Sequence, residues 1–131
     1  MHALDRAAAL LGYDVVAAAP GRAVVRMTVR ADMVNGLGVC HGGLIFTLAD
    51  SAMAHASNSH GEDAFAVAAS IDFLSPGMIG AVLTAEAVEH FRRGRTALYE
   101  VIVASDAGDV VARFHGRTQH RRRPPGAAGV G

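Results

Sequence analysis

Residues 42–58 constrain the fold of this chain more than any other stretch. Leu44, Ile45, Phe46, Leu48, Ala49, Ala52, Met53, Ala54 and Ala56 would leave a helix here apolar on almost every side, and such a helix must be buried. The rest of the sequence supplies the cover. Residues 13–18 and 22–30 are β-branched runs around Pro20-Gly21. The second alternates Val24, Arg26, Thr28 and Arg30 against Val25, Met27 and Val29, the pattern of a hairpin with one wet face. Residues 64–73, 81–91, 96–104 and 110–120 are also strand-like, separated by turn signals at Ser75-Pro76-Gly77, Arg93-Gly94 and residues 106–109. Good helix formers over residues 3–11, closed by Gly12, predict a short leading helix. The expected fold is therefore α+β, one long central helix wrapped by an antiparallel sheet of about five or six strands. A single domain over residues 1–120 is expected, followed by a mobile tail over 121–131 rich in Arg, Pro and Gly. Strands exceed what the helices can cover, so one sheet edge or face should meet another subunit.

Composition narrows function by exclusion. Only 18% of residues are charged and the formal net charge is zero, so nothing in the bulk electrostatics calls for a nucleic acid or an anionic membrane as partner. All 12 basic residues are Arg, which removes lysine-based Schiff-base chemistry. Cys40 is the single cysteine, so no intrachain disulfide can form. No basic start with a long apolar run marks a signal peptide, and no apolar run approaches the roughly 20 residues needed to span a bilayer. The chain reads as cytoplasmic.

Among the 29 residues between Asp32 and Glu62, Asp50 is the only formally charged one, histidines aside. Its helical neighbours at i±3 and i±4 are Phe46, Thr47, Met53 and Ala54, a mostly apolar strip. A carboxylate buried there costs several kcal/mol unless it has donors, so it is either a structural Asp bonded to Thr47 or Ser51 or a group kept for chemistry. The loop before it bears on that choice. His41-Gly42-Gly43 opens the same helix with two residues that let a ligand reach bare backbone amides, and amides at a helix N-terminus favour negative charge. They can stabilise the oxyanion formed when a carbonyl is attacked; a glycine-rich cap with no ligand is the alternative. Eight residues separate Gly42 from Asp50, about 12 Å along one helix, so the two cannot grip one carbonyl within a chain. Two such helices antiparallel across a twofold axis would bring Gly42 of one to Asp50 of the other, making the dimer the catalytic unit.

The run Asn35-Gly36-Leu37-Gly38-Val39-Cys40-His41-Gly42-Gly43-Leu44-Ile45-Phe46-Thr47-Leu48-Ala49-Asp50, continuing to Asn58-Ser59 and Ile71-Asp72-Phe73-Leu74-Ser75-Pro76-Gly77, resembles the hotdog-fold acyl-coenzyme A thioesterases of the phenylacetic-acid degradation (PaaI) type. The resemblance covers roughly the whole domain. It implies a hotdog fold, protomers joined through a continuous sheet, and dimers that usually pair into homotetramers. It implies hydrolysis of an aryl- or arylacetyl-coenzyme A, of phenylacetyl-coenzyme A type, with no metal or redox cofactor. It also implies roles. Asp50 attacks the carbonyl or activates water, the Gly42 amide polarises the carbonyl oxygen, Asn35 orients the carboxylate or water, and His41 supports the loop. One departure stands out: a serine or threonine often found near the leaving sulfur in relatives has no certain equivalent, since Ala54 and Ala66 occupy the plausible positions.

Other features carry two readings each. Gly43 belongs to the same bare helix start as Gly42. Phe46, Met53, Phe65 and Phe73 are candidates for an apolar acyl pocket, or plain core. Arg92, Arg93 and Arg95, flanking Gly94, can hold coenzyme A phosphates or simply form a solvated hairpin tip. Cys40 and His41 are adjacent, which disfavours a nucleophile and base pair. The histidine pairs 55/60 and 115/120 lack the i, i+4 spacing of helical metal ligands, so no metal site is expected. Asp50 and His55 form the Asp-x4-His pattern of hotdog enoyl-coenzyme A hydratases, but five residues turn a helix by about 140°, pointing them to different faces. A non-catalytic acyl-coenzyme A-binding module is the third reading; it leaves the lone acid unexplained.

Overall fold

The computed structural model describes residues 5–122. Helix α1 runs Arg6–Leu11, capped by Asp5, whose Oδ1 accepts from the Ala8 amide at 2.9 Å, and closed by Gly12 at φ 71°. The first two residues of the expected leading helix lie outside the described residues. Strands β1 (Asp14–Ala19) and β2 (Arg22–Thr28) form the hairpin, and a 3-10 turn follows at Ala31–Met33. The long helix α2 is Gly42–Asn58, and β3 (Asp63–Phe73), β4 (Val82–Arg93), β5 (Thr96–Ser105) and β6 (Val110–Arg121) follow it among the described residues. All neighbours are antiparallel in one six-stranded sheet of order β1-β2-β4-β5-β6-β3. The expected strands sit within one or two residues of these bounds. Arg121 is the last residue of β6 rather than the first of a tail, and the expected tail from residue 123 lies outside the described residues.

The helix packs against one face of the sheet, where small residues meet. Ala49, Ala52 and Ala56 are fully buried against a sheet face that carries Ala85, Ala87, Ala97 and Ala112 beside Leu83, Val101 and Val103. Small side chains on both layers let the helix approach closely, and each buried methylene contributes about 0.8 kcal/mol to holding it there. At its C-terminus Asn58 clamps helix to sheet. Its Nδ2 donates to Ala54 O at 2.8 Å and Ala64 O at 3.1 Å, while its Oδ1 accepts from Ala64 N at 3.1 Å.

β3 differs from the other strands. It is an edge, and residues 65–70 are exposed without alternation. Phe65, Val67 and Phe73 all stand in solvent on this strand, a bare apolar edge of the kind natural proteins cover.

Candidate active site

Asp50 lies midway along α2, partly buried, and opens into a cleft of ≈ 390 Å³ between the helix and the start of β3. Met53, Asn58, Phe65, Ala66, Thr118 and Arg121 line it with Asp50. Neither Thr47 nor Ser51 satisfies the carboxylate. Thr47 Oγ1 donates to Gly43 O at 2.8 Å, and among the described residues Asp50 has no hydrogen bond or ion pair. Burial alone pushes its pKa above the ordinary carboxylate value. An unpaired, partly desolvated carboxylate facing a cleft is a stronger proton acceptor and nucleophile than a solvated one.

A second cleft, ≈ 400 Å³, opens at the other end of the helix, where Cys40, Gly42 and Ile45 meet Phe73 to Gly77. Gly42 lets the Phe73 ring lie over bare backbone: a Cβ would stand 2.9 Å from Phe73 Cζ and the ring would have to shift. His41 is the N-cap residue and acts through its main chain. Its O accepts from Leu44 N at 3.0 Å and Ile45 N at 3.3 Å, its N donates to Met33 O at 2.9 Å, and its side chain makes no capping bond. The Gly42 and Gly43 amides therefore start the helix with no acceptor among the described residues, the positive end of the dipole left open.

The remaining expected residues fall elsewhere. Asn35 Oδ1 accepts from Leu37 N at 2.9 Å and Val39 N at 3.3 Å, holding the loop that delivers Gly42, and Asn35 lines neither cleft of its own chain. Phe46 packs edge-on against Phe114, centroids 5.2 Å apart, and also lines neither. Met53 and Phe65 line the Asp50 cleft and Phe73 the Gly42 cleft. Arg92 pairs with Glu62, while Arg93 and Arg95 are exposed at the β4–β5 turn. His55 is buried and does not line the Asp50 cleft. Among the described residues no group of three or more His, Cys, Asp or Glu side chains is placed to hold a metal ion, and no helix is long and apolar enough to cross a membrane.

The sequence reading did not pick out Thr118 and Arg121 as site residues, and the structure places both on the Asp50 cleft. Arg121 pairs with Asp63 at 3.6 Å on the cleft wall. Thr118 had a signal: Phe114, Gly116, Thr118 and His120 alternate as the inward face of β6, and a hydroxyl at an inward position needs a reason.

Comparisons with known proteins bear on this geometry. The model of the thioesterase superfamily matches residues 37–112, which include both clefts' helix. The acyl-coenzyme A thioesterase PaaI of Escherichia coli is 44% identical over 121 residues, spanning 92% of this chain and 86% of that one. The solved structure of that E. coli protein, from the phenylacetic acid degradation operon, superposes with a TM-score of 0.91 at 42% identity, covering 92% of this chain and 88% of its own. A mutant of the phenylacetic acid degradation protein PaaI from Thermus thermophilus gives 0.84 at 44% identity, covering 89% and 99%. A Streptococcus mutans protein solved with acetyl coenzyme A gives 0.81 at 28% identity, covering 85% and 91%.

Proposed function

The chain belongs to the thioesterase superfamily and has its hotdog fold, and from that premise we propose that it hydrolyses an aryl- or arylacetyl-coenzyme A, of phenylacetyl-coenzyme A type, to the free acid and coenzyme A. The observation that carries the reading is the Asp50 carboxylate, partly buried without a partner among the described residues and facing a cleft. It either adds to the thioester carbonyl or takes a proton from the attacking water. The Gly42 and Gly43 amides donate hydrogen bonds to the developing oxyanion, a stabilisation worth about 3 kcal/mol per donor. Water is the only other reactant, so the reading asks for no cofactor.

The reading requires two copies of the chain. The Asp50 cleft flanks the start of β3 and the Gly42 cleft its end. Antiparallel pairing of two β3 edges about a twofold axis at Ala69 sets Phe65 of one copy against Phe73 of its twin and joins the two half-sites. It also covers the bare apolar edge. Val88, Leu98 and Ile102, exposed on the outer sheet face, offer a surface on which such dimers pair into a tetramer. Coenzyme A phosphates are assigned to Arg93 and Arg95, since Arg92 is already paired with Glu62. A coenzyme A ester as substrate and a single buried thiol at Cys40 fit a cytoplasmic setting.

Thiol release over a panel of acyl-coenzyme A substrates tests this. Asp50→Asn should lower kcat by at least about 100-fold on the best substrate. Undiminished turnover in the mutant would remove the acid from the mechanism, and hydration of crotonyl-coenzyme A without thiol release would favour the hydratase reading.

A further inference from the structure

Thr118 is 1% exposed, yet it lines the cleft into which Asp50 opens. It stands directly across the β3–β6 ladder from Ala66, a cleft residue with no polar side chain, and the ladder is bulged between Ala66 and Ala68, where the strand re-aims its side chains. Two residues along the same inward face, His120 is also 1% exposed, and its Nε2 lies 3.4 Å from Thr118 Oγ1. The other ring nitrogen, Nδ1, is buried with no hydrogen-bond partner.

That orphan nitrogen fixes the pair's polarity. A buried N–H without an acceptor is rarer and more costly than a buried acceptor left bare, so the proton belongs on Nε2, facing the Thr118 oxygen, and Nδ1 keeps an idle lone pair. Burial, and after it the Arg92 charge, lowers the His120 pKa, with His60 adding to this and Glu62 and Glu89 opposing it, so the fold disfavours the charged ring. With its oxygen accepting from His120, the Thr118 hydroxyl has its own proton free to donate into the cleft.

We propose that Thr118 is a catalytic residue of the Asp50 cleft, donating a hydrogen bond to the thioester sulfur as it leaves, and that His120 is the positioning residue that turns the hydroxyl toward it. The inference rests on the hydrolase reading above. With Asp50 as base, the water oxygen bonds to the carbonyl carbon and its proton passes to the carboxylate. The C–S bond then breaks with its electron pair on sulfur, the thiolate is held by the Thr118 O–H, and the proton on Asp50 passes to the thiolate, restoring the base. Water and thioester are consumed, and acid and thiol are formed.

The test compares Thr118→Val, which keeps the shape and removes the hydroxyl, with Thr118→Ser, which keeps the hydroxyl, on an arylacetyl-coenzyme A and on the matching S-aryl thioester, whose more acidic thiol leaves without help. Thr118→Val should lose about tenfold in kcat on the coenzyme A ester with KM little changed, and less than about twofold on the aryl thioester. Thr118→Ser should recover most of the loss. His120→Phe should reproduce the leaving-group dependence of Thr118→Val. If Thr118→Val turns over both esters like the native chain, or loses equally on both, the proposal is overturned. Should Thr118→Val fail to fold, the ratio of the two esters in His120→Phe decides by the same criterion. Asp50→Asn assayed alongside separates the two readings: full activity there would sink the acid's role, whatever Thr118 does.

Discussion

At the scale of single residues, the features that make Asp50 useful also make it costly. The pKa of this group in the folded chain is raised by burial above its unfolded value, so the ionised form is penalised by folding. The sign follows directly. Below the ordinary aspartate value of 3.8 the group is neutral in both states and costs nothing, and as pH rises through the folded pKa the full penalty appears. Asp50→Asn should therefore melt higher than the native chain at pH 7, by about 3 °C, while losing turnover, with the gap closing as the pH falls toward 4. Differential scanning calorimetry at pH 4 and pH 7 measures both; a lower melting temperature at pH 7 would show that the carboxylate has a stabilising partner. The same pKa direction places the acid limb of the pH–rate profile above the range of a solvated aspartate, because only the ionised form accepts a proton.

At the scale of elements, Gly116 couples the sheet to the cleft. A Cβ at Gly116 would run into Met53 Sδ and stand 2.8 Å from Met53 Cε and 2.9 Å from Phe114 Cε1, so any larger residue here forces the buried Met53 to shift. Gly116→Ala should cost about 1–3 kcal/mol by overpacking, read from urea denaturation. Met53 also lines the Asp50 cleft, so whatever relief it finds should change KM for bulky acyl groups more than for acetyl-coenzyme A. Unchanged KM ratios would mean that Met53 relaxes away from the cleft. The elements themselves were legible because their signals are local. Apolar side chains all round residues 42–58 require a buried helix, alternation marks β2, strand-like runs between turn signals mark the later strands, and Gly12, Gly21 and Gly94 mark chain reversals at positive φ. Asp50 and Gly42 were legible because a lone charge and a bare helix start stand out in one dimension. Thr118 and Arg121 were not, because their place in the cleft depends on pairing with Ala66 and Asp63, more than fifty residues earlier in the chain, and alternation along β6 can turn Thr118 inward without setting that register. Asn35 shows the opposite case: its motif was visible, but its oxygen is committed to its own loop.

At the scale of the whole molecule, the distance between the acid and the amides decides what assembly the chemistry needs. One helix holds them about 12 Å apart, and the structure opens a separate cleft at each, so on the proposed mechanism the described residues of one chain supply two half-sites. The strand between these half-sites is also the strand whose apolar edge is left bare, and one twofold contact answers both conditions. If that contact passes through Ala69, a long cation there faces its own copy across the axis, and like charges directly opposite on paired strands destabilise the pair. Ala69→Arg should therefore shift the chain toward monomer in light scattering while leaving its far-UV circular dichroism native, since Ala69 is exposed and not part of the core. Thiol release per chain should fall with the dimer fraction, and in the native protein specific activity should drop on dilution below the dimer dissociation constant and return on concentration. A monomeric Ala69→Arg protein that hydrolyses at the native rate would place the whole reaction within one chain, and the acid would then need an oxyanion partner other than Gly42.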